Sequence, residues 1–123
     1  MTKIPGINKQ KPKFDLEERT AKLGEDVIDL VKQLPRNEIT KPLINQLVKA
    51  STSVGANYCE ADDAESKKDF KHKIGICKKE SRETKHFLRM VARATPQFAD
   101  QARKLWQEAK EINLIFKAIY KKV

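Results

Sequence analysis

From Asp15 to the end of the chain, apolar side chains return every three or four positions, and no segment alternates as a strand would. The pattern predicts four helices. The first opens with Asp15 and Glu18 in capping-box spacing, stops at Pro35, and places Leu16, Thr20, Leu23, Val27, Leu30 and Leu34 on one line. The second starts near Thr40 or Pro42, proline being tolerated in a first turn, and runs to about Asp62. The third runs from near Ser66 to about Arg93 with the line Phe70, Ile74, Cys77, Ser81, Thr84, Leu88 and Val91. Thr95 and Pro96 then read as an N-cap and first-turn pair opening a fourth helix, whose line is Phe98, Ala102, Leu105, Ala109, Ile112, Phe116 and Ile119. Four helices with short connections and one seam each predict an all-α, antiparallel up-and-down four-helix bundle.

The second helix has two lines to hide. Leu43, Leu47, Ala50, Val54, Asn57 and Ala61 form one, and Ile44, Val48, Ser51, Gly55 and Tyr58 form another beside it. Burial by two neighbours within the bundle accounts for such a wide apolar face. The alternative is a subunit contact, because Ser51 and Gly55 are small enough to let another backbone come close. On that reading Ile44, Val48, Ser51, Gly55 and Tyr58 are an oligomer interface. Asn57, on the core line, is expected to bond to a neighbouring helix and fix register, since an unsatisfied buried amide costs about 1 to 3 kcal/mol.

Length and charge narrow the picture further. With 123 residues the chain makes one domain, residues 14–123, preceded by an arm over residues 1–13 that holds two prolines, a glycine and four lysines but no acid. No apolar run approaches the roughly 20 residues of a spanning helix, so a soluble, cytoplasmic protein is expected. Cys59 and Cys77 match no zinc spacing and are expected to be reduced. Lys and Arg number 26 against 17 acids, a net charge of +9.

That charge is unevenly placed. With Cys77 taken as the core direction of the third helix, Lys67, Lys71, Lys78, Arg82, Lys85, Arg89 and Arg93 all fall roughly 80° to 160° to one side. Asp69, Glu80 and Glu83 fall on the other flank. A solvated face normally mixes signs, so the segregation points to a phosphate backbone as partner, with Lys3, Lys9, Lys11 and Lys13 extending the strip. The aromatic residues mostly lie on core lines, with Trp106 and Tyr58 as exceptions for which packing is the default role, and no recognition-helix signature suggests base-specific readout.

Ser53, Ala56, Asn57, Tyr58, Glu60 and Ala61, followed by Ser66, Asp69, Phe70, Ile74, Glu80, Glu83, Thr84 and Leu88, resemble in order and spacing the signature of a bacterial four-helix-bundle family. Its members include proteins encoded within intervening sequences of large-subunit ribosomal RNA genes. The same family is similar to the accessory variability proteins of diversity-generating retroelements. That resemblance implies a ring-like homo-oligomer, a pentamer by preference, RNA or DNA binding, and association with a reverse transcriptase. It also implies that the signature residues are largely structural, Asn57, Glu60 and Glu80 among them.

Catalysis has weak support. Glu83 with His86, and Asp69 with His72, copy the Glu-x-x-His spacing of di-iron bundles, but both pairs lie on one helix about 21 Å apart, and such sites draw their motifs from two helices. There is no P-loop, no nucleophile elbow and no nucleophile with a positioned base. The sequence therefore predicts a non-catalytic, cofactor-free and metal-free oligomeric protein that binds nucleic acid with slight sequence preference. A protein-only adaptor, using the acidic flank of the third helix and the second apolar line of the second helix, is the alternative.

Overall fold

The computed structural model describes residues 15–123; the expected arm over residues 1–13 lies outside the described residues. These residues form four α-helices and no strand: α1 (Leu16–Val31), α2 (Thr40–Asp62), α3 (Lys67–Ala94) and α4 (Ala99–Lys122). Each boundary has a local cause. Asp15 accepts a hydrogen bond from the Glu18 amide at 3.2 Å and starts α1. At the other end, Arg36 Nη1 donates to the carbonyls of Val31 and Leu34 at 2.9 Å each, placing a cation at the C-terminal end of the helix. The Asn37 side chain accepts from the amides of Ile39 and Thr40 at 2.9 Å and so launches α2. Ser66 Oγ accepts from the Asp69 amide at 3.0 Å and starts α3. Thr95 does not cap the fourth helix as expected. Its hydroxyl turns back to the Val91 carbonyl at 2.7 Å, and Pro96–Phe98 form a single 3₁₀ turn before α4 begins.

The connections are short and the helices pair in chain order, α1 on α2, α2 on α3 and α3 on α4, with α4 closing least extensively on α1. Contacts run in opposite directions along each pair, as an antiparallel bundle requires. The α1 line Leu16, Thr20, Leu23, Val27, Leu30 and Leu34 is wholly buried, as are Ile74, Cys77, Ser81, Thr84, Leu88 and Val91 of α3. Ser81 and Thr84 fit this core because their hydroxyls donate back to the Cys77 and Glu80 carbonyls of their own helix at 2.8 Å each. Arg19 ties α1 to α4 through two 2.8 Å bonds to Glu108 and one of 3.0 Å to Glu111.

The second line of α2, expected as an oligomer interface, packs at least in part within the chain. Ser51 and Ile44 are buried, and Val48 and Tyr58 pack against the core. A Cβ placed on Gly55 would meet Thr20 Oγ1 at 3.3 Å, and one on Gly24 would meet the Ser51 carbonyl at 3.6 Å. Small residues therefore stand where leucines would be expected because the α1 and α2 backbones approach closely there. Tyr58 leans its ring on Phe116 of α4, centroids 5.9 Å apart.

Asn57 does not bond to a neighbouring helix as expected. It is half-buried and donates at 2.9 Å to the Ser53 carbonyl of its own helix, so it bridges nothing. The bridging amide belongs to Asn113 of α4, which is buried and donates to the Lys78 carbonyl at 2.8 Å and to Ser81 Oγ at 3.0 Å on α3.

Candidate nucleic-acid interface

Asn113 fixes how α3 lies against α4, and that register places the basic strip. One turn-pair along α4 in each direction stand Trp106 and Tyr120, each seven residues from Asn113. Opposite them α3 presents Lys71, Lys78 and Lys85, also seven apart. The Lys71 ammonium lies 4.8 Å from the Tyr120 ring centre and that of Lys78 lies 4.0 Å from it. Lys85 lies 5.6 Å from the Trp106 ring centre, and Lys110 of α4 reaches the same ring at 5.5 Å. Gly75 makes room for this arrangement, since a Cβ there would stand 3.1 Å from the Tyr120 ring.

The remaining strip residues spread along the same side. Lys67 sits at one end of the bundle beside Phe70 and Lys122. Arg82 is exposed near Lys85, and Arg89 and Arg93 border a groove at the α3–α4 turn. Burial holds the Lys85 ammonium below the usual lysine range, and the charges of Lys117, Lys110 and Arg82 push it the same way. Among the described residues, none of these strip cations forms an ion pair with a carboxylate.

The acids are engaged or turned elsewhere. Glu108 and Glu111 serve Arg19 on the α1 side of α4. Glu60 of α2 meets Lys73 of α3 at 2.6 Å, a bridge between helices consistent with a structural role. Glu80 meets Lys79, its own neighbour, at 3.9 Å; burial raises its pKa, as does Glu83, while Lys49 of α2 acts the opposite way. It is not paired across helices as its structural reading required.

Lys110 and Lys117 of α4, together with Tyr120, belong to this face and were not among the residues singled out from sequence. The signal was present: Arg103, Lys110 and Lys117 repeat every seven residues, as do Trp106, Asn113 and Tyr120. Reading each helix against its own core direction could not show that two helices pool their charge at a shared seam.

His72 and His86 are exposed, and among the described residues no three His, Cys, Asp or Glu side chains come together as a metal cluster. Cys59 and Cys77 are free thiols, one exposed and one buried. No described helix is long and apolar enough to cross a membrane.

Fold and site together define a small antiparallel four-helix bundle whose last helix pair carries a cationic, aromatic-studded face. The sequence takes the assignment further: the family model described as 23S rRNA-intervening sequence protein matches residues 13–118, and the chain belongs to that family. Among solved structures it is similar to a Bacteroides thetaiotaomicron protein of unknown function from the S23 ribosomal protein family. The TM-score is 0.75 and the identity 25%, over 86% of this chain and 98% of that one. No curated protein matches the sequence.

Proposed function

We propose that the α3–α4 face binds the phosphate backbone of RNA or DNA without catalysis. One observation carries the reading. Lys71, Lys78, Arg82, Lys85, Lys110 and Lys117 share one side of the bundle without a carboxylate partner among the described residues, and the Lys85 pKa is lowered by burial and, next, by the charges of Lys117, Lys110 and Arg82. Concentrated like charge raises the free energy of the unliganded surface, and a polyanion relieves it while releasing its own counterions. Family membership adds an association with ribosomal RNA genes, which is compatible with the reading and does not choose among nucleic acids.

Changing Lys78, Arg82 and Lys85 to Glu tests this. The three leave the buried line of α3 untouched, so helicity by circular dichroism is retained. Affinity for structured RNA or DNA falls, and the slope of log affinity against log salt drops by about two to three units, at about 0.7 to 0.9 per phosphate contact. Unchanged binding places the site elsewhere. Wild-type protein that binds neither RNA nor DNA at low salt favours the protein-only adaptor.

Assembly into a homo-oligomer, a pentamer by the resemblance to retroelement accessory proteins, is part of the same proposal. Because Ser51 and Gly55 lie close against α1, a face of the bundle other than the second line of α2 is the better candidate for that contact. Light scattering on wild type and on the triple variant reads the subunit number and shows whether the basic face meets an acidic flank of a neighbouring copy.

A further inference from the structure

At the α3–α4 turn the bundle surface opens into a groove of about 710 Å³, within the size range of small-ligand sites. Its floor is apolar, built from Leu88 and Ala92 of α3, Pro96 of the turn and Ala102 of α4. Trp106 forms a wall. Arg89 and Arg93 stand on the rim with no ion pair among the described residues. Arg103 lines the groove too, but it is engaged with Asp100 at 3.0 Å. Through Trp106 the groove is continuous with the strip, because Lys85 and Lys110 approach that same ring.

An apolar slot with an indole wall and unpaired arginines at its mouth suits a molecule that is planar and apolar-faced in one part and anionic in the next. A nucleobase joined to its phosphodiesters has that composition, whereas a duplex keeps its bases stacked inside and offers only its charged edge. We infer that the groove holds one unstacked base of a single-stranded nucleic acid against Trp106, with the flanking phosphates on Arg89 and Arg93. The inference rests on the phosphate-binding reading and adds a preference for single strands. The base replaces a lysine ammonium on the indole face, and Lys85, whose charge is disfavoured where it stands, gains a phosphate in exchange.

Trp106 is the only tryptophan in the chain, so the emission of the intact protein reports on this groove directly. A single-stranded oligoadenylate of about 12 nucleotides, spanning a binding site of ordinary size, and an RNA duplex of equal length are titrated at low salt. The strand quenches Trp106 and the duplex does not. Trp106→Leu weakens the strand roughly 5- to 150-fold, the range for losing one base–aromatic stack, and weakens the duplex far less. Arg93→Gln, which does not disturb the indole, weakens the strand and lowers its salt slope by about 0.7. Binding of both ligands with unchanged emission, and a Trp106→Leu protein that holds the strand as wild type does, overturns the groove while phosphate binding stands. Failure of wild type to bind either ligand overturns both, leaving the groove to a protein ligand.

Discussion

Cys77 lies fully buried between α3 and α2, its Sγ 3.6 Å from the Val54 carbonyl, and burial pushes its thiol up to about 12. Cys59 is exposed. An aromatic disulfide reagent at neutral pH therefore modifies one thiol per native chain and the second only on unfolding. The same shift links stability to alkaline pH. A thiol whose folded pKa is raised contributes fully below its unfolded value and loses that contribution as pH climbs toward the folded one. Urea midpoints should fall between about pH 9 and 12, at a slope approaching about 1.4 kcal/mol per pH unit, more steeply for wild type than for Cys77→Ala. Equal slopes for the two proteins would show that the thiol is not the titrating group. Residue-scale chemistry of this kind was readable in advance, since Cys77 stands on an unbroken apolar line, but the fate of an amide was not. Asn57 and Asn113 are equally polar, and only the packing of α3 on α4 decides which of them is sealed in.

Between elements, the close approach of α1 and α2 depends on two glycines in unequal settings. At Gly24 an added Cβ would find Thr52 Cγ2 at 3.5 Å and backbone atoms at 3.6 Å, which is ordinary contact. Gly24→Ala should thus stabilise by about 0.5 to 1 kcal/mol through reduced freedom of the unfolded chain and better helix propensity. At Gly55 the nearest atoms belong to Thr20, including its backbone carbonyl carbon at 3.5 Å, and cannot retreat unless α1 moves. Gly55→Leu should cost about 1 to 3 kcal/mol in urea unfolding, the usual range for overpacking. Stabilisation by Gly55→Leu would mean that α1 is not seated as described. Helix positions and core lines were legible because a 3.6-residue period is a local property of sequence. The partner of each face was not, because Ile44, Val48, Ser51, Gly55 and Tyr58 serve equally well against a neighbouring helix or against another subunit, and only the completed bundle shows α1 against Ser51 and Gly55 and Phe116 of α4 against Tyr58.

For the whole molecule, a net charge of +9 favours an anionic partner, and under the proposed function the α3–α4 register decides where such a partner would bind. Half of the face, from Lys67 to Arg93, could be read from α3 alone; Lys110, Lys117 and Tyr120 entered only once α4 was laid beside it. The lysines resting on Tyr120 and Trp106 have a thermodynamic consequence. A free lysine side chain gives up as much as about 1.5 to 2 kcal/mol of rotational entropy when it is immobilised. Lys71 and Lys78, already laid across the Tyr120 ring, have surrendered part of that freedom while the bundle folds, before any polyanion arrives. Tyr120→Leu keeps every cation and so should leave the salt slope unchanged. By letting Lys71 and Lys78 sample more rotamers in the free protein, it should weaken association several-fold through a less favourable entropy in calorimetry. If the proposed function holds, the Tyr120 ring acts as a rack that holds Lys71 and Lys78 extended, so that part of the ordering needed for association is completed during folding.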